Sequence, residues 1–170
     1  MYHPLQIKFI PECYADTLMI QLFKVSETSI RHKKGIHKVA SEISNFDDAR
    51  VKLIGLVDDD KKNIPDYFID FQVLKEEDDL ILKHKLNTNH FLIVVNPELE
   101  AWLLKSAKMV NINPKDFSLP ENPKQLHHIT ANVNLEDNKN FINFLKAIKK
   151  AEAKPFITLE NWIKEFFENT

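Results

Sequence analysis

Short apolar runs alternate along this chain with stretches of helical periodicity. In "LQIKFI" (Leu5–Ile10) apolar and polar residues take turns, the two-residue period of a strand. Leu18, Met19, Leu22 and Phe23 then recur at helical spacing, which predicts a helix over Ala15–Val25. "IHKVASEISNF" places Ile36, Val39, Ala40 and Ile43 on one helical face. "VKLIGLV" (Val51–Val57) is almost wholly apolar, as expected of a strand covered on both sides. "DLILKHKL" (Asp79–Leu86) and "HFLIVV" (His90–Val95) read as two more strands. The second leads into a helix predicted over Pro97–Val110, with Asn96 as N-cap and Pro97 at the first helical position. Helices are predicted again over Pro123–Asn132, Asn138–Ala153 and Leu159–Glu168. This order implies an α/β fold, with a mainly parallel sheet of about four strands and a helical C-terminal region packed on it.

In open α/β sheets, ligands bind beyond the carboxyl ends of the strands. Three predicted strand ends carry acids: Glu12, the run Asp58–Asp60, and the turn from Asn96 to Glu100. Carboxylates gathered there repel one another unless something positive lies between them, and oxygen-rich clusters suit Mg²⁺ or Mn²⁺. If strand geometry persists, Asp58 and Asp60 point one way and Asp59 the other. At about 100° per residue, Leu99, Trp102, Leu103, Leu104, Ala107 and Val110 share a broad arc of their helix, and Glu100 falls inside it. Glu98 lies opposite, with Lys105 and Lys108. A carboxylate on a core-facing arc needs a partner. Asp58, Asp60, Glu12 and Glu100 are therefore expected to converge on one ion, each oxygen about 2.0–2.6 Å from it. The plainer alternatives are a solvated turn for the aspartates, a structural role for Glu12 and a first-turn helix acid for Asp16.

Composition narrows this picture only a little. The 170 residues are the usual size of one domain, 44% hydrophobic and 28% charged, with net charge −2. Any nucleic-acid contact must therefore come from a local basic patch. "RHKKGIHK" supplies one candidate in Arg31, Lys33, Lys34 and Lys38, with Lys61 nearer the aspartates. The alternative is a solvated surface turn. No apolar run is long enough for a membrane, no signal peptide is evident, and a lone Cys13 suits a reducing compartment. A cytoplasmic location without membrane contact is expected. His127 and His128 diverge by about 100° on a helix, so they read as structural.

The ordered set "PECYADTL", "HKKGIHKVASEI", "LIGLVDDD", "IPDYF" and "IVVNPELEAWLLKSA" resembles small stand-alone TOPRIM-like bacterial proteins. These are similar to the nuclease-type subunits of phage-defence systems, often paired with an ATPase. The likeness covers residues 5–132; residues 133–170 read as helices added to that core within a single domain. It implies that Glu12 is a general acid/base or metal ligand, that Asp58 and Asp60 are the metal-binding pair, and that Glu100 is the acid of the later helix. Mg²⁺ or Mn²⁺ would be the cofactor, nucleic acid the substrate and an ATPase subunit the partner. TOPRIM domains usually place a glycine after the first glutamate, where this chain has Cys13. That departure favours a second reading, a catalytically silent subunit binding an ATPase or a phage component. A third is a small-nucleotide phosphohydrolase using the same acids.

Overall fold

The computed structural model describes residues 5–46, 48–59 and 62–168. The chain runs β1 (Gln6–Pro11), α1 (Tyr14–Leu22), α2 (Ile36–Ser44), β2 (Val51–Asp58), α3 (Asp66–Ile69), β3 (Phe71–Glu77), β4 (Leu80–Lys85), β5 (His90–Val95) and α4 (Leu99–Met109). It closes with α5 (Pro123–Thr130), α6 (Lys139–Lys150) and α7 (Lys154–Glu168). One five-stranded sheet has the order β1-β2-β5-β4-β3. The pairs β1–β2 and β2–β5 are parallel, whereas β5–β4 and β4–β3 are antiparallel. The sheet is thus mixed, with one strand more than the four expected and half of its pairings antiparallel.

The extra strand explains the difference. Beyond Phe71, every residue of β3 is exposed, so it lacks the alternation that betrays a half-buried strand. A two-residue turn joins it to β4, with φ of 53° at Asp78 and 60° at Asp79. Positive φ at both central residues matches the twist of a hairpin, and aspartate tolerates it better than most residues. So tight a turn can only make antiparallel neighbours.

Helices cover both faces. Val51, Leu53 and Val57 of β2 pack with Val39, Ala40 and Ile43 of α2, and with Phe68 of α3. Ile54 and Leu56 face the other way, into a larger cluster holding Met19, Trp102, Leu126, Phe144, Phe156 and Trp162. That cluster spans α1, α4, α5, α6 and α7, so the C-terminal helices share the core of the sheet. Close approach of α2 to the sheet depends on Gly55, where a Cβ would lie 2.8 Å from Leu92 Cδ1 and 3.2 Å from Ile43 Cδ1 and Val39 Cγ1.

The outer edge of β1 is not left open. Arg31 N–H donates to Phe9 O, Lys33 N–H to Pro11 O and Gly35 N–H to Glu12 O, at 2.8, 3.0 and 3.2 Å. The strap then turns into α2 through Gly35, whose φ of 88° suits a residue without a Cβ. The β4 and β5 boundaries fall close to the predicted ones, but α4 begins two residues later than expected. Asn96–Pro97 is a cis peptide bond and Glu98, not Asn96, occupies the N-cap position.

Candidate functional site

The carboxyl ends of β1, β2 and β5 lie side by side because those strands are parallel and adjacent. Glu12 follows β1 directly, and its Oε2 accepts the Asp58 N–H at 3.2 Å. Asp58 ends β2 with even parity, on the side of Ile54 and Leu56, so it faces α1 and α4. Its Oδ1 accepts the Leu99 N–H at 2.9 Å, tying the strand end to the first turn of α4. A carboxylate at a helix N-terminus is favourably placed against the helix dipole.

Asp16 is the residue that sequence reasoning undervalued. It does sit in the first turn of α1, in a capping box with Cys13: Asp16 N–H donates to Cys13 Sγ and Cys13 N–H donates to Asp16 Oδ2. Yet only 1% of it is exposed, and its Oδ1 is buried without a hydrogen-bond partner. Burial, with the charges of Glu12 and Glu100 adding to it, pushes its carboxyl up to about 8, against the hydrogen bonds from Cys13. Burial likewise pushes Asp58 up to about 9, followed by the charges of Asp16, Glu12 and Glu100. Four carboxylates therefore act on one another at one sheet edge.

Glu100 behaves as its helical position demands and is 2% exposed. Its partners are protein groups. Oε1 accepts a hydrogen bond from Thr130 Oγ1 and another from His127 Nδ1, the latter at 3.1 Å. Both donors come from α5, so His127, read from sequence as merely structural, reaches the acidic edge. Burial pushes the Cys13 thiol up, with Asp16 adding to the effect, which disfavours a thiolate nucleophile.

Glu12, Asp58 and Glu100 share a neighbourhood with Asp16, but among the described residues no three His, Cys, Asp or Glu side chains form a ready-made metal-binding group. Asp60 and Lys61 lie outside the described residues. Of the basic candidates, Arg31 and Lys33 both pair with Glu42, Lys33 at 2.8 Å. Those pairs brace the strap beside β1 to α2. Lys34 and Lys38 are exposed. No helix among the described residues is long and apolar enough to cross a membrane.

The donor set fits a divalent cation on chemical grounds. The feature that bears on this is the buried Asp16 Oδ1, which has no hydrogen-bond partner. Glu12, Asp16 and Asp58 supply hard oxygen donors of the kind Mg²⁺ and Mn²⁺ prefer. Comparison with known proteins adds no relative: no family model, curated protein or solved structure matches this chain.

Proposed function

We propose that this protein is a Mg²⁺- or Mn²⁺-dependent TOPRIM-like nuclease that hydrolyses nucleic-acid phosphodiesters, in bacterial antiphage defence. The observation that carries the reading is Asp16 Oδ1, buried and unpartnered, with the charges of Glu12 and Glu100 acting on the same carboxyl. Glu12, Asp16 and Asp58 would hold the cation, with Asp60 beside them in sequence. When bound, such an ion polarises the phosphate, activates water and stabilises the leaving oxygen. The chain's own contribution is to fix the donors: β1 and β2 set Glu12 and Asp58 in register, and the capping box orients Asp16. Lys34 and Lys38 are available for phosphate contacts, whereas Arg31 and Lys33 serve through the strap. An ATPase subunit is the partner this reading carries with it.

A second reading has a specific observation in its favour. Asp58 Oδ1 is engaged by Leu99 N–H and Glu12 Oε2 by Asp58 N–H, so both acids already have structural work. On that reading the protein is a catalytically silent TOPRIM-like subunit. The small-nucleotide phosphohydrolase uses the same acids and differs only in substrate.

One experiment separates them. Binding to the native state alone raises the melting temperature by mass action. Mg²⁺ or Mn²⁺ should raise that of the parent, and the gain should vanish in Asp58→Asn and shrink in Asp16→Asn. Cleavage of DNA, RNA or nucleotides is then assayed with and without metal. A melting shift without cleavage supports the silent subunit, and a parent without any shift removes the cation from the site.

A further inference from the structure

Glu100 and His127 join a buried carboxylate to an exposed ring. The His127 side chain is 64% exposed, whereas that of Glu100 is 3% exposed. Exposed pairs such as Lys115–Glu121 leave both partners in water, and they contribute little. Here one ring nitrogen is anchored to a buried carboxylate while the ring itself stands in solvent. Thr130, 1% exposed, donates to the same Oε1 and so fixes the carboxylate from behind. With Nδ1–H donated to Glu100, the outward nitrogen is Nε2. A buried carboxylate that sets an imidazole's tautomer and aim is how proteins prepare a histidine to exchange protons. The pair also borders the acidic edge, since Glu100 directly follows Leu99, whose N–H donates to Asp58 Oδ1 at 2.9 Å.

We infer that His127 is the proton donor to the leaving oxygen of the phosphodiester, with Glu100 as its positioning carboxylate. This rests on the nuclease reading above. In the hydrolysis, a bond forms from the oxygen of water to phosphorus, and the bond from phosphorus to the leaving sugar oxygen breaks. The bonding pair departs with that oxygen. The Nε2–H of the His127 imidazolium protonates it to an alcohol, and the neutral imidazole regains a proton from solvent. The attacking water releases its proton to solvent, and nothing is oxidised or reduced. Glu100 keeps Nδ1–H engaged throughout, so the ring orientation is held and Nε2 stays the outward nitrogen.

Leaving-group dependence tests the assignment. The full chain is assayed with Mn²⁺ on an oligonucleotide, whose sugar alkoxide needs a proton, and on thymidine 5′-(4-nitrophenyl phosphate), whose nitrophenolate does not. His127→Ala should slow oligonucleotide cleavage by about 10²–10³-fold and leave the nitrophenyl ester nearly unchanged. Glu100→Gln should show the same selectivity to a smaller degree, and exposed His128→Ala should show none. Long-range ¹H–¹⁵N spectra should place the His127 proton on Nδ1 in the parent and lose that preference in Glu100→Gln, a readout independent of turnover. If His127→Ala slows both substrates equally, or neither, the assignment is overturned while the nuclease reading stands. If the parent cleaves neither substrate, both fall together.

Discussion

At the scale of single residues, the molecule is most informative where a side chain is buried against its chemistry. Asp16 is such a case. Replacing it by asparagine keeps the shape and the acceptor for Cys13 N–H while removing one ionisable group from a crowded set. Asp16→Asn should therefore melt no lower than the parent without metal, and should gain less from Mg²⁺ or Mn²⁺; a calorimetric scan with and without metal checks both. Glu100 was legible in the sequence because a helical arc of leucines and tryptophan left no outward side for it. Asp16 was not, because a first-turn acid is usually explained by the helix terminus alone, and pattern does not report that its second oxygen has no partner. His127 was passed over for a similar reason. Adjacent histidines diverge on a helix, but divergence does not stop one of them from meeting a carboxylate on a neighbouring helix.

At the scale of elements, the sheet succeeded or failed to declare itself according to burial. β2 and β5 are covered and read directly as apolar runs. β3 is an exposed edge strand without amphipathic alternation, so nothing marked it except the acidic turn that follows. Asp78 Oδ2 accepts from Thr158 Oγ1 at 2.6 Å, Asp78 O accepts from Trp102 Nε1 at 3.0 Å, and Lys154 pairs with its Oδ1 at 3.3 Å. The hairpin is thus fastened to α4 and α7. Asp78→Ala would lose the side-chain contacts and leave alanine at positive φ, so it should destabilise by about 2 kcal/mol, read from the urea midpoint at unchanged slope. Gly55 marks the opposite face. Gly55→Ala must displace methyl groups of Leu92, Ile43 and Val39, and should cost about 1–3 kcal/mol in the same measurement. An Asp78→Ala protein as stable as the parent would show that the turn is held by the strands alone.

For the molecule as a whole, the acidic edge makes stability depend on pH in an unusual direction. Asp16 and Asp58 hold their protons up to about 8 and about 9, chiefly through burial, against an ordinary 3.8. The folded chain thus binds more protons than the unfolded chain between those limits, so its stability falls as pH rises through that window. The metal-free protein should have a lower urea midpoint at about pH 9 than at about pH 5. On the proposed function, Mg²⁺ or Mn²⁺ should flatten the slope by placing positive charge among the acids. A midpoint that rises over the same range would show that Asp16 and Asp58 are ionised and otherwise compensated.

The topology that builds this edge also dictates when it can exist. The hairpin of β3 and β4 closes on neighbours in sequence. Glu12 and Asp58 meet across 46 residues, Asp58 and Leu99 across 41, and Glu100 and His127 across 27. Loop closure of that kind has to be completed before its contacts give any return. During synthesis, from the N-terminus onward, the chain can hold its hairpin early and bring Glu12, Asp58 and Leu99 into register once α4 has emerged, but Glu100 has no His127 or Thr130 until α5 has left the ribosome. The buried Glu100 carboxylate is therefore without its hydrogen-bond donors until the chain has been made as far as Thr130.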